Sequence, residues 1–393
     1  MDVLRIQEAL RREKLDGWLF FDHHQRDPLA YRILGLNPLR HVTRRWYYLI
    51  PAQGEPRGLV HRIEAGVLDE APGDKARYSS WQEQQAGIEN MLRGMKRVAM
   101  QYSPRCAVAY VAMVDAGTIE VIRGLGVDVV TSAELIQEFE AVLTDAQFET
   151  HVQAGHQVDR ICAGAFRFIG DRLSSGVSEI EVKNWVLGEF SRAGMVTDSG
   201  PIVGVNAHSG DPHYEPVPET SLPIRPGDFV LLDMWAKFDR PDAVYYDITW
   251  TGFCGDAPDR VKEVFGIVRD ARDKAVETVA AAVAASRELR GFEVDDAARA
   301  HIRAKGFGEQ FVHRTGHSIG TEVHGTGANM DNLETHDERR ILPGSLFSVE
   351  PGIYLPEFGV RSEVNVFVKR GSGDKKSSAG TTGAVQLELV RIG

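Results

Sequence analysis

Short apolar runs alternate with stretches of helical spacing through the first third of the chain. Gly17-Trp-Leu-Phe-Phe21, Trp46-Tyr-Tyr-Leu-Ile50, Arg97-Val-Ala-Met100, Ala107-Val-Ala-Tyr110 and Val127-Asp-Val-Val130 predict strands. Residues 2–14, 81–95 and 132–142 carry apolar positions at helical spacing. Strands interleaved with helices predict a mixed sheet covered by helices. His23 and His24, just past a strand end, are expected in a loop.

The pattern changes near Leu143-Thr144. Thr144-Asp-Ala-Gln147 is a capping box and opens a predicted helix to about Leu173; Ser178-Glu-Ile-Glu181 opens another to about Ala193, stopped by Gly194. A Gly/Pro-rich loop is expected over 199–216, and long helices over 258–289 and 294–305. Residues 371–382 read as an exposed loop before a last strand, Ala384–Val390. The fold class expected is α/β (α+β), with one domain at 1–143 and a second at 144–393 whose halves each offer helices and then an acid-bearing strand pair.

Composition adds exclusions. Hydrophobic and charged fractions of 43% and 26% are those of an ordinary globular chain. A net charge of -11 disfavours nucleic acid as a partner. No apolar run is long enough to span a membrane, and the N-terminus lacks the apolar stretch of a signal peptide. Cys106, Cys162 and Cys254, odd in number and far apart, read as small buried hydrophobes in a reducing compartment, hence a cytoplasmic expectation.

Acids interrupt the apolar pattern where it is strongest. Asp233 follows Phe229-Val-Leu-Leu, and Asp247 shares a strand face with Tyr245 and Thr249. A hairpin centred on Arg240 would set Asp233 directly opposite Asp247; a second, centred between Pro356 and Glu357, would oppose Glu350 and Glu363. Pro351 is expected to introduce a bulge. Each buried carboxylate pair about 4 Å apart repels by about 4 kcal/mol at an effective dielectric near 20. Four converging acids would rival the roughly 5–15 kcal/mol that stabilises a domain. Two divalent cations among them remove the conflict. His317, between Gly316 and Gly320, is the imidazole chosen to complete the ligand set, with His313 and His324 beside it. His213 is expected near the centre, His208 exposed, and Arg361 on the face of Glu363.

In that arrangement Asp233, Asp247, His317, Glu350 and Glu363 resemble the pita-bread metallopeptidases, a family that includes methionine aminopeptidase, aminopeptidase P and prolidase. Val312-His-Arg-Thr-Gly-His-Ser-Ile-Gly320, Val349-Glu-Pro-Gly-Ile-Tyr354 and Val360-Arg-Ser-Glu363 are similar to the His and Glu blocks of its Xaa-Pro branch. The likeness covers roughly 144–393, and 1–143 is similar to the N-terminal domain of the creatinase and prolidase members. It implies five metal ligands and a hydroxide bridging two divalent metals, manganese first, cobalt or zinc as alternatives. Glu350 would carry the proton, His213 and His324 would steady substrate and oxyanion, and His313 and Arg361 would hold the proline side. The implied substrate is a small peptide with proline second, a dipeptide ahead of longer peptides, and the implied assembly a homodimer. Two departures stand out: Asp233 and Asp247 are 14 residues apart, and Met234-Trp235 follows the first Asp in place of small residues, which predicts a reshaped pocket.

Two other readings compete. Gly316-His-Ser318-Ile-Gly320 matches a serine-hydrolase elbow, with His336 downstream. A metal-free pita-bread domain would serve as a binding module; the intact ligand set argues against it.

Overall fold

The computed structural model describes residues 1–370 and the backbone of a strand at Glu388–Ile392. The expected loop at 371–382 and the first residues of the last expected strand, 384–387, lie outside the described residues. The described chain divides into two compact units, 1–140 and 141–393.

The first unit holds a six-stranded mixed sheet. Its strands are β1 (Gly17–Asp22), β2 (Trp46–Pro51), β3 (Arg57–His61), β4 (Asp74–Tyr78), β5 (Arg97–Met100) and β6 (Asp128–Thr131), in the order β4-β3-β2-β1-β5-β6. Helices α1 (Val3–Arg12), α2 (Pro28–Leu34), α3 (Trp81–Met91), α4 (Ala116–Gly124) and α5 (Ala133–Ile136) accompany it. Alternate residues of the central strands feed two cores, Trp18 and Phe20 with α1 and α2 residues, Leu19 and Phe21 with α3 and α4 residues. The strand expected at 107–110 is absent. Ser103 precedes Pro104, Arg105 and Cys106 take left-handed φ values of 56° and 54°, and two 3₁₀ turns replace it. Cys106 is exposed there, unlike the buried Cys162 and half-buried Cys254.

The second unit is built on α6 (Asp145–Arg172), α7 (Glu179–Arg192), α8 (Asp259–Ala284) and α9 (Gly291–Ala304). Its strands are β7 (Val177–Ser178), β8 (Met195–Val196), β9 (Ile202–Val205), β10 (Pro223–Ile224), β11 (Phe229–Phe238), β12 (Tyr246–Phe253), β13 (Leu346–Val349), β14 (Gly352–Tyr354), β15 (Gly359–Arg361), β16 (Val364–Lys369) and β17 (Glu388–Ile392). Both expected capping boxes form, at Thr144 and at Ser178. β11 pairs antiparallel with β12, β9 and β8; β13 pairs with β16, and β14 with β15. Leu232, Met234, Tyr246 and Ile248 join the core formed by α6 and α7, so alternation turns Asp233, Asp247 and Thr249 to the opposite face. Among the described residues, no helix is long and apolar enough to cross a membrane.

His151 of α6 locks this layer. It is fully buried, and its Nδ1 lies 2.6 Å from the Tyr245 carbonyl. Burial pushes its pKa down to about 4. Between pH 6.5 and 4 the unfolded chain therefore binds a proton that the folded chain refuses, so stability falls as pH falls through that window. The loss should reach about 3 kcal/mol at the acid end. Denaturant unfolding between pH 4 and 7 should show a flatter slope for His151→Asn than for the parent; equal slopes would remove this role.

Candidate metal centre

The acids meet where β11–β12 faces the β13–β16 segment. The β11–β12 register is offset by two residues from the expected one: Asp233 pairs with Thr249 and Trp235 with Asp247. β11 runs to Phe238, and the longer connection at 239–245 moves the turn. A two-residue offset keeps both acids on one face, as diagonal neighbours. In the second hairpin Val349 pairs with Val364 and Gly352 with Arg361, the register expected from a turn at Pro356–Glu357. Glu350-Pro351 and Ser362-Glu363 leave the ladder between these pairs, because Pro351 has no N–H to give. The break frees both glutamates from regular strand geometry.

Residues 315–319 run beside β13. The Ser348 amide donates to the His317 carbonyl at 2.9 Å, and the Glu350 amide to Thr315 at 2.7 Å. Gly316 permits this approach, since a Cβ there would lie 2.0 Å from the Ser348 carbonyl oxygen. Below it, Arg299 forks onto Asp295 at 2.7 and 2.9 Å and donates to the Phe311 and His313 carbonyls, while Asp295 accepts from the Thr315 amide and hydroxyl. That buried network fixes the segment carrying His313 and His317.

His317 Nδ1 lies 3.1 Å from the Ser318 carbonyl, which leaves Nε2 as the free acceptor. Nε2 lies 3.3 Å from Glu350 Oε1 and 3.4 Å from Asp247 Oδ2. One donor atom each from Asp247, His317 and Glu363 falls within 4.8 Å of the others. Thr249 donates to Glu363 Oε2 at 2.9 Å, but Asp247 Oδ1 and Glu363 Oε1 are buried with no hydrogen-bond partner. Orphaned carboxylate oxygens facing one imidazole are what a divalent cation would satisfy, so these residues fit such an ion.

Burial raises the pKa of Asp247 and Glu363 well above the carboxylate range, and the neighbouring acids raise both further. Burial lifts Asp233 to about 7 against the opposing pull of Arg361. Glu350 differs: burial pushes it up, but His317, Arg361 and His313 outweigh that and hold it below its usual value.

Arg361 is buried among these groups. It pairs with Asp233 and donates to Thr249 Oγ1 at 2.9 Å, to Tyr354 Oη at 3.1 Å and to the Pro212 carbonyl at 3.3 Å. Tyr354 Oη also lies 2.7 Å from His313 Nε2, and burial pushes His313 down to about 4. A cavity of about 180 Å³ gathers His213, His313, His324, Asp233, Asp247 and Glu350 on its walls, with Trp235 beside them. The His324 ring meets His317 edge-on at 4.4 Å.

Asp233, Asp247, His317, Glu350, His213, His313, His324 and Arg361 line this cavity, and Glu363 places a donor atom beside those of Asp247 and His317. Thr249 and Tyr354 escaped the sequence reading as functional groups, although Thr249 was visible on the face of Asp247. His208 is half-buried rather than exposed, since the buried Glu179 carboxylate binds its ring. The serine elbow fails on geometry. Ser318 is buried, its hydroxyl accepts from the Gly327 amide, and His336 binds Asn332 instead.

The sequence matches the pattern of Metallopeptidase family M24 over residues 115–370. It is 33% identical over 246 residues to an uncharacterised peptidase, YqhT, of Bacillus subtilis, covering 61% of this chain and 65% of that protein. It is 28% identical over 234 residues to an Xaa-Pro dipeptidase of Lactobacillus delbrueckii, covering 59% and 58%. The matched stretch thus spans less than two thirds of either relative. The crystal structure of a prolidase from Pyrococcus horikoshii superposes with a TM-score of 0.62 at 23% identity, over 99% of this chain and 97% of that one, which establishes a shared fold.

Proposed function

Because the chain belongs to metallopeptidase family M24, we propose that it cleaves Xaa-Pro peptide bonds, with dipeptides as its substrates. The observation that carries this reading is the buried Asp247–His317–Glu363 cluster with its two orphaned oxygens, opening on a histidine-lined cavity. A volume of about 180 Å³ lies below the roughly 300–1,000 Å³ of drug-sized sites, which supports a short substrate.

Asp233, Asp247, His317, Glu350 and Glu363 would hold two divalent cations; manganese suits a set of carboxylate oxygens with one imidazole, with cobalt or zinc as alternatives. Such cations, when bound, supply Lewis acidity toward the scissile carbonyl and acidify the attacking water. Glu350, held ionised, accepts the proton lost by that water and delivers it to the proline nitrogen. That nitrogen is tertiary within the peptide, so it needs this proton to leave as an amine. His213 and His324 steady the substrate and the developing oxyanion. His313, tied to Tyr354, contacts the proline side. Arg361 commits its donors to Asp233, Thr249, Tyr354 and the Pro212 carbonyl, so its part is to fix Asp233 beneath the substrate. A cytoplasmic location, in keeping with the free cysteines, and a homodimer, by analogy with the resembled family, complete the reading.

A cleavage panel of Ala-Pro, Ala-Pro-Ala, Ala-Ala and a Met-initiated peptide, with manganese added, tests it. Ala-Pro should turn over fastest. Faster cleavage of Ala-Pro-Ala would make the enzyme an aminopeptidase, and cleavage of Ala-Ala but neither proline peptide would overturn the specificity.

A further inference from the structure

His213 stands exposed on an irregular segment, 206–222, yet it must present its ring at a fixed place in the cavity. Several of the hydrogen bonds that restrain this segment converge on one side chain. Glu179, the first residue of α7, is fully buried. Its carboxylate accepts from the Val205 amide at 2.9 Å, from His208 Nδ1 at 2.9 Å, from Tyr214 Oη at 2.8 Å and from the Leu222 amide at 2.7 Å. These donors bracket His213 on both sides. The His208 and Tyr214 rings lie 4.2 Å apart across the same carboxylate. One helical turn on, the buried Lys183 extends the grip, reaching Glu215 at 2.7 Å and the Pro216 carbonyl at 3.3 Å.

The other edge of the segment is held from the metal centre. Ser209 accepts from the Gly359 amide at 2.9 Å, and a Cβ on Gly359 would lie 2.1 Å from the Ser209 carbonyl oxygen. Arg361 holds the Pro212 carbonyl. On the Glu179 side the β7–β10 pair and the Glu179 amide, which donates to the Leu222 carbonyl at 3.1 Å, hold only the end of the segment; a carboxylate, accepting at both oxygens, suits the four converging donors.

We infer that Glu179 is a positioning residue for His213, fixing the 206–222 segment so that the ring meets the substrate. The inference rests on the proposed role of His213. Glu179→Gln places an amide donor among four donors and should loosen the segment while preserving volume.

Hydrogen exchange on the full-length protein and a double-mutant cycle with H213A test it. In E179Q, amides of 206–222 should exchange at least about tenfold faster while those of α8 are unchanged. Ala-Pro kcat/KM should fall by about 100-fold with His213 in place, but by no more than about twofold in the H213A background. Unchanged exchange at 206–222, or an equal loss in both backgrounds, overturns the inference. Should E179Q not fold, Tyr214→Phe, which deletes a single bond, gives the same two readouts at smaller size. A chain inactive on proline peptides would defeat the proposed function, whereas the exchange comparison would still decide whether Glu179 holds the segment.

Discussion

Glu350→Gln should leave the chain folded and lower turnover of an Xaa-Pro dipeptide by about 10²- to 10⁴-fold, the range of a lost general base. The expectation follows from the one acid of the cluster whose surroundings favour its charge. Burial works against ionisation of Glu350, but His317, Arg361 and His313 overcome it. Ser348 donates to Oε1 at 2.9 Å and aims the group. Glutamine keeps the volume and the Ser348 bond but offers no basic oxygen, so the loss should appear in kcat more than in KM. Steady-state kinetics beside a circular dichroism spectrum check it; a folded variant with parental kcat would remove the proton-carrying role.

Chelation should abolish activity, and manganese should restore it. The physical ground is that Asp233, Asp247 and Glu363 are all held above the ordinary carboxylate range by burial. For Asp233 the raised value of about 7 sets a sign: without cations, its contribution to stability is complete below pH 4 and is lost as pH rises through 7. The chelated protein should therefore lose more of its thermal stability at pH 8 than at pH 5. Bound cations reverse the preference, because they require the ionised acids. Cations at 100 times their dissociation constant add about 2.7 kcal/mol per site, so the gap between loaded and chelated protein should widen with pH. Melting curves with and without EDTA at the two pH values measure it. A gap that narrows toward pH 8 would contradict this assignment.

Much of this centre was legible because carboxylates are rare inside apolar runs. Asp233 after Phe229-Val-Leu-Leu marked itself by that contrast, while Glu350 and Glu363 stood out by opposing each other across the expected second turn. The turn at Pro356–Glu357 gave the second register correctly, whereas the first slipped by two residues: nothing in Asp239–Tyr245 marks how far β11 continues before the chain turns. The slip did no harm to the site, since faces repeat every two residues. Edge strand β4 was invisible, because Asp74–Ala76 and Arg77 meet solvent and carry no alternation. β3, with only Gly58-Leu-Val60 inside, was too short to announce itself. Glu179 was legible only as part of a helix start; its four partners lie 26 to 43 residues away in sequence, and no local pattern encodes them.

Neutralisation of the buried acids by bound ions underlies the proposed chemistry. Calorimetric titration of manganese into chelator-treated protein, with metal analysis of the loaded product, addresses it most directly. Two ions bound per chain, with protons released on binding, are the expected result, and Asp247→Asn should reduce that number. A chain that binds no divalent ion, yet hydrolyses Ala-Pro in the presence of EDTA, would contradict it.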